Sequence, residues 1–158
     1  MIKMTSDTGQ RPILIVDDSP EDFEAARHAF RKSGVVNPIY HCCDGDDALD
    51  FLYRRGTYAA NGRAARPGFI LLDINMPGTD GREVLQEVKS DPQLRNIPVI
   101  MLTTSCDERD IEACYGAGAN SYIRKPDDLM GFFEAIERLK DYWFEVVLLP
   151  KNGELSCN

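Results

Sequence analysis

The chain has 158 residues, of which 43% are apolar and 28% are charged, and 26 acidic residues against 18 lysines and arginines give a net charge of −8. This length fits one domain and is sufficient to fold without disulfides or a structural metal. The acidic balance argues against nucleic acid as the main partner, because phosphate binding needs clustered Lys and Arg. No apolar run approaches the roughly 20 residues of a membrane span, and the first eleven residues lack the apolar core of a signal peptide.

The cysteines indicate a reducing compartment. There are five, an odd number, and none has CxxC or zinc-ligand spacing. Such thiols are typical of a cytosolic protein, in which they remain reduced. We therefore expect a cytoplasmic protein with no membrane partner.

In the first half of the chain, two apolar runs are each followed by a helical pattern. Residues 12–16 (PILIV) form a continuous apolar run, which is typical of a strand covered on both faces. Ser19 can cap the helix that follows, with proline at its first position and Gly34 at its end. A short strand at 39–42 precedes a helix capped by Asp44.

The second half, which follows a Gly- and Pro-bearing loop at 54–67, repeats the alternation three times. Strands are predicted at 69–72, 98–102 and 122–123. The first two are followed by helices that open at the capping boxes Asp80-x-x-Glu83 and Ser105-x-x-Glu108. A long last helix is predicted from residue 127 to about residue 148.

Five strands that alternate with five helices indicate a three-layer α/β sandwich. Right-handed crossovers pair the strands in parallel and leave helices on both faces of the sheet. A ligand site is expected outside the carboxyl ends of the strands, where the strand order reverses.

Polar side chains directly follow four of the predicted strands, where that site is expected. They are three carboxylates, three hydroxyls and one ammonium: Asp17, Asp18, Asp73, Thr103, Thr104, Ser105 and Lys125. Singly, an aspartate here can be a helix cap and a threonine a turn residue. Together the acids repel, by about 4 kcal/mol per pair at about 4 Å and an effective dielectric constant of about 20. A hard cation such as Mg²⁺ would neutralise them.

Four blocks of the chain resemble the signature blocks of the response-regulator receiver domain of two-component signalling. They are VDDSPED (16–22), LLDINMPGTDG (71–81), IPVIMLTTS (97–105) and YIRKP (122–126). The resemblance implies a flavodoxin-like (CheY-like) fold with strand order 2-1-3-4-5. It divides the chain into a flexible N-terminus at 1–10, a receiver domain at 11–149 and a C-terminal tail at 150–158.

Three further features resemble the single-domain regulators that serve phytochrome-type histidine kinases. They are the long loop at 54–67, the helix GREVLQEVK (81–89) and the ending DYWFEVVLLP (141–150). The partner implied is a histidine kinase, and the protein is expected to be a signalling phosphoacceptor rather than an enzyme.

The resemblance also assigns roles at the sheet edge. Asp73 is the implied phosphoacceptor, a carboxylate nucleophile. Mg²⁺ is the implied cofactor, held by Asp17, Asp18 and Asp73 together with the backbone carbonyl of Asn75.

The remaining implied roles concern the response to phosphorylation. Thr103 is the switch hydroxyl and Tyr122 the aromatic that moves with it. The amide of Thr104 and the ammonium of Lys125 bind the phosphoryl group, and the bond before Pro126 is expected to be cis.

The output of the switch is expected to be a protein contact. The face made by the fourth helix, last strand and last helix is predicted to form a homodimer, because the last helix ends nearly apolar all round. Tyr142, Trp143 and Phe144 are the candidate interface residues. The alternative is that this end folds back on its own domain.

Two other functions remain open. One is a Mg²⁺-dependent aspartyl-phosphate hydrolase, which the absence of a second acid after Asp73 disfavours. The other is a receiver-like interaction module that does not depend on phosphorylation.

Overall fold

The computed structural model describes residues 11–59 and 66–150. The strands are β1 (Ile13–Val16), β2 (Ile39–Cys42), β3 (Phe69–Leu72), β4 (Val99–Thr103) and β5 (Ser121–Arg124). The helices are α1 (Pro20–Lys32), α2 (Gly45–Tyr53), α3 (Gly81–Ser90), α4 (Glu108–Gly116) and α5 (Leu129–Asp141). A 3-10 helix (Gly56–Tyr58) follows α2, and a π-helical segment (Tyr142–Val146) continues α5. The predicted flexible N-terminus at 1–10, the tail after Pro150 and the centre of the loop at 54–67 lie outside the described residues, and the domain boundaries stay predictions.

The five strands form one parallel sheet in the order β2-β1-β3-β4-β5, as predicted. The order reverses between β1 and β3, which pair in register from Ile13 opposite Phe69 to Val16 opposite Leu72. Asp17 and Asp73 therefore leave neighbouring strands at the same edge. The predicted fold class is confirmed.

Alternate residues of each inner strand belong to two separate apolar cores. Leu14 and Leu72 pack with α2, α3 and α4 on one face, whereas Ile15 and Leu71 pack with α1 and α5 on the other. Every residue of β1, β3 and β4 is buried, which explains why these strands are continuous apolar runs in the sequence.

Three of the predicted helix starts are confirmed and one is wrong. The N-caps of the first three helices are Ser19, Asp44 and Asp80, and each side chain accepts a hydrogen bond from a backbone amide of its helix. The predicted capping box at Asp80 is present. The fourth helix instead begins at Glu108 with Asp107 as its cap. The hydroxyl of Ser105 is engaged elsewhere, so its predicted capping box does not form.

The long last helix is shorter than predicted. Regular α-helix begins at Leu129, two residues later than predicted, with Asp128 as its N-cap. It ends at Asp141, and the π-helical segment follows it to Val146. This wider turn packs Trp143 against Phe69, with ring centroids 6.1 Å apart, and leaves the tryptophan only 7% exposed. Phe144 is half-buried, also against Phe69. Of the three candidate interface residues, Tyr142 is the one that is exposed, at 53%.

No helix within residues 11–59 and 66–150 combines the length and the apolar character that crossing a membrane requires.

Candidate functional site

The strand order brings two carboxylates into a buried position at the carboxyl edge of the sheet. Asp17 follows β1 and its amide donates to the carbonyl of Cys42, while Asp73 follows β3 and its amide donates to the carbonyl of Val16. These backbone bonds extend the parallel ladders by one residue. The two aspartates are only 4% and 7% exposed, so their carboxylates are held rigidly and largely out of water.

Lys125 joins three acids at this edge. Its Nζ lies 2.6 Å from Asp17 Oδ2, 2.9 Å from Asp22 Oδ2 and 3.2 Å from Asp73 Oδ2. The lysine side chain is 5% exposed. Its amide donates to the carbonyl of Thr103 at 2.7 Å, which fixes the start of the β5–α5 loop. A single ammonium thus partly compensates several negative charges.

Burial and pairing act in opposite directions on the pKa values of the site. Burial raises the pKa of Asp17, although the hydrogen bonds from Lys125 and from the Ser19 amide act to lower it. Burial alone would lower the pKa of Lys125, but its hydrogen bonds to Asp17 and Asp22 and the nearby charges outweigh burial and raise that pKa. The lysine is therefore charged throughout the physiological pH range.

The site has the donor set of a divalent metal centre. One oxygen from each of Asp17, Asp18 and Asp73 lies within 4.8 Å of the others. Asp73 Oδ1 is the buried side-chain oxygen or nitrogen, among the described residues, that has no hydrogen-bond partner. Because an unsatisfied buried carboxylate oxygen is costly, this atom indicates a ligand at the site. Hard oxygen donors of this kind fit Mg²⁺ or a similar divalent cation.

The predicted hydroxyl cluster lies on the loop that follows β4. Thr103 is completely buried, and its Oγ1 accepts from the Ser105 amide at 3.3 Å. Tyr122 donates its hydroxyl to the Ser105 carbonyl at 2.8 Å, so this aromatic is tied to the same loop. Thr104 is exposed. Asn75 is also exposed, two residues beyond Asp73.

The predicted cis bond before Pro126 is wrong, since the described residues contain no cis peptide bond. The trans form is the intrinsically favoured one for a bond before proline. With it, Lys125 already reaches Asp17 at hydrogen-bond distance.

One functional contact was missed by the sequence reasoning. Asp22, in the first turn of α1, is a third acid on Lys125. Acidic residues are common in the first turn of a helix, where the helix dipole favours negative charge, so an aspartate at this position does not by itself indicate a functional role. Its position five residues after Asp17, on the helix that leaves the same strand, is the signal that could have identified it.

Comparison with known proteins decides the family. A family model for the response regulator receiver domain matches residues 13–137. The chain belongs to the response regulator receiver family. The predicted resemblance is confirmed, and it places the chain in two-component signalling, in which the partner is a histidine kinase.

Individual relatives agree with this membership. The chain is 38% identical to the response regulator Rcp1 of Synechocystis sp. (strain ATCC 27184 / PCC 6803 / Kazusa) over 138 residues, which are 87% of this chain and 92% of Rcp1. It is also similar to the crystal structure of the phosphorylated cyanobacterial phytochrome response regulator RcpA, with 38% identity, a TM-score of 0.84, and coverage of 89% of this chain and 99% of that one. The Mn²⁺-bound form of Rcp1 has a TM-score of 0.83 at 38% identity, with the same two coverages. This chain is therefore a receiver homologous to phytochrome response regulators.

Proposed function

We propose that Asp73 accepts a phosphoryl group from a histidine kinase of the phytochrome type. An oxygen of the Asp73 carboxylate forms a bond to phosphorus, while the bond between phosphorus and the kinase histidine nitrogen breaks and its electron pair returns to the imidazole. The observation that carries this proposal is the unpartnered, buried Asp73 Oδ1 beside a paired Oδ2. One oxygen of the carboxylate is held by Lys125, and the other is left for the reacting group.

Lys125 and the β4–α4 loop supply the rest of the site. The ammonium lies 3.2 Å from Asp73 Oδ2, close enough to offset negative charge on the phosphoryl oxygens. The Thr103 hydroxyl oxygen accepts a hydrogen bond from the Ser105 amide. Its own hydroxyl proton is therefore available for donation to the phosphoryl group. The amide of Thr104 is the second proposed donor.

Mg²⁺ is the proposed cofactor, held by Asp17, Asp18 and Asp73 with the Asn75 carbonyl. When bound, it neutralises the carboxylates and the charge that develops on the phosphoryl oxygens. A Mn²⁺-bound form is known for the similar regulator Rcp1, which supports a divalent ion here.

The protein acts in this proposal as a cytoplasmic signalling module rather than as an enzyme with turnover. Its output is a protein contact through α4, β5 and α5, in which a second copy of the chain is the proposed partner. Tyr115 and Tyr142, which are 50% and 53% exposed, offer apolar surface at this side and at the end of α5. Sedimentation velocity at micromolar concentration, with and without phosphorylation, tests this; a monomer under both conditions contradicts it.

The deciding experiment is incubation with acetyl phosphate and Mg²⁺, followed by intact mass measurement. The wild type is expected to gain one phosphoryl group and the Asp73→Asn variant none. Glu112→Gln, which removes an exposed carboxylate from α4, is the matched control and should be phosphorylated like the wild type. A wild type without an adduct, or an adduct on Asp73→Asn, would overturn the assignment.

The two alternatives predict different results. A hydrolase would release inorganic phosphate continuously from a phosphate ester. An interaction module without phosphorylation would gain no mass and would bind no beryllofluoride.

A further inference from the structure

Ser105, in the loop between β4 and α4, makes hydrogen bonds through its amide, its carbonyl and its hydroxyl. Its amide donates to Thr103 Oγ1 at 3.3 Å. Its carbonyl accepts from the Tyr122 hydroxyl at 2.8 Å. Its own hydroxyl donates to Asp110 Oδ2 at 2.7 Å. The first two bonds connect Ser105 to both proposed switch residues, whereas the third leads away from the site.

The third bond continues to the helix that follows Asp73. The other oxygen of Asp110 accepts from Arg82 Nη1 at 3.0 Å, across from α4 to α3. Arg82 directly follows Gly81, whose amide donates to the carbonyl of Ile74 at 2.9 Å. The segment that follows Asp73 and leads into α3 is thus linked to the loop after Thr103 through the side chains of Arg82, Asp110 and Ser105.

The Ser105 hydroxyl also accepts from the Asp107 amide at 3.4 Å, a longer contact than its 2.7 Å bond to Asp110. Capping of α4 does not explain the bond to Asp110. The N-cap of α4 is Asp107, whose Oδ1 accepts from the Arg109 amide at 2.8 Å. The ion pair between Arg82 and Asp110 is also too exposed to stabilise the fold by much, with side chains 44% and 23% exposed. A short bond from a hydroxyl to a carboxylate is directional, however, and fixes the orientation of its donor.

We propose that Asp110, held by Arg82, is a positioning residue for phosphorylation. Acting through the Ser105 hydroxyl, it keeps the loop in the arrangement in which Thr103 and Tyr122 are both engaged. This inference deepens the proposed function and rests on it, because the group that the loop receives is the phosphoryl group on Asp73. Without Asp110, the loop would become ordered only when the phosphoryl group binds. The free energy needed to order it would then weaken the binding of that group.

The test is the affinity for beryllofluoride in the presence of Mg²⁺, measured by calorimetry well below the melting temperature. Asp110→Asn and Ser105→Ala are each expected to bind about tenfold more weakly than the wild type, and Arg82→Gln less severely. Ser105→Thr restores the hydroxyl and should return the affinity to within about threefold. The double variant Asp110→Asn/Ser105→Ala should be no weaker than either single variant, because both remove one interaction.

Glu108→Gln is the matched control, since it removes an exposed carboxylate from the first turn of the same helix. It should bind as the wild type does. Wild-type affinity in both Asp110→Asn and Ser105→Ala, or additive losses in the double variant, would overturn the proposal. Failure of the wild type itself to bind would overturn the proposed function instead. If Asp110→Asn does not fold by circular dichroism, the comparison of Ser105→Ala with Ser105→Thr decides the question.

Discussion

At the scale of single residues, the site depends on one buried cation. Asp17 and Asp73 are both nearly excluded from water, and Lys125 is the ammonium that contacts them. Removing one member of a buried ionic cluster leaves uncompensated charge, which costs far more than an exposed pair contributes. Lys125 is therefore expected to matter for stability as well as for chemistry.

Lys125→Met should lower the free energy of unfolding by about 3 kcal/mol in metal-free buffer, because the buried carboxylates lose their cation. Saturating Mg²⁺ should recover part of this loss. Urea denaturation with and without Mg²⁺ measures both effects. The control is Lys140→Met, which removes an ammonium from an exposed ion pair with Glu145 and should cost under about 1 kcal/mol. Equal losses in the two variants would contradict this account.

The described cysteines should separate into two classes of reactivity. Cys42 and Cys114 are buried, and burial raises the pKa of both thiols, whereas Cys43 and Cys106 are exposed. Because the thiolate is the reactive form, iodoacetamide at neutral pH should label Cys43 and Cys106 in the native protein and spare the other two. Peptide mapping measures this, and full labelling in urea is the control. Rapid labelling of Cys42 in the native protein would contradict this prediction, because it would require the core around this thiol to open to solvent.

At the scale of elements, the sequence was informative wherever the local signal was unambiguous. The apolar runs predicted all five strands, and the side chains of Ser19, Asp44 and Asp80 predicted three helix starts. The wrong helix start lies where a side chain had two possible partners. Ser105 has the spacing of a capping box but bonds to Asp110, and this tertiary contact carries no local signal.

The site was predictable to the same extent. Residues that follow strands directly were identified because parallel strands end at one edge of the sheet. Asp22 and Arg82 were not, because each lies on a helix surface where charged residues are ordinary. The π-helical segment could not be foreseen either, since the apolar pattern of Trp143 and its neighbours also fits a continuous α-helix.

The junction of α3 with β3 should tolerate no side chain larger than hydrogen at Gly81. An added Cβ there would lie 1.9 Å from the carbonyl oxygen of Asp73, so the helix would have to move. Gly81→Ala should lower the free energy of unfolding by about 2 kcal/mol or more and weaken phosphorylation. At Gly116, the last residue of α4, nothing lies within 4 Å of the added atom. Gly116→Ala should be neutral or stabilise by up to about 1 kcal/mol. Thermal denaturation compares the two, and equal effects would contradict the close approach.

At the scale of the whole molecule, the acidic site links metal binding to folding. Only the folded chain brings one carboxylate oxygen from each of Asp17, Asp18 and Asp73 within 4.8 Å of the others. An ion that binds the folded state alone stabilises it by mass action. The global stability should therefore report on the site.

Mg²⁺ at about one hundred times its dissociation constant should raise the free energy of unfolding by about 2.7 kcal/mol. Asp18→Asn, which removes the exposed ligand, should reduce this increase. Thermal melts at constant ionic strength measure it, with NaCl as the control for screening. A melting temperature that is independent of Mg²⁺ would show that the proposed site does not bind this ion.

The π-helical turn has a consequence for which sequence changes the C-terminal end can absorb. A π-helical turn holds one residue more than an α-helical turn, so deleting Tyr142 would let ordinary α-helical geometry continue and leave the residues beyond the segment near their present positions. Replacing Tyr142, whose side chain is mostly in solvent, leaves those positions unchanged as well. A one-codon deletion within this segment should therefore be tolerated better than one in the regular part of α5, where every later residue would turn by about 100° around the axis.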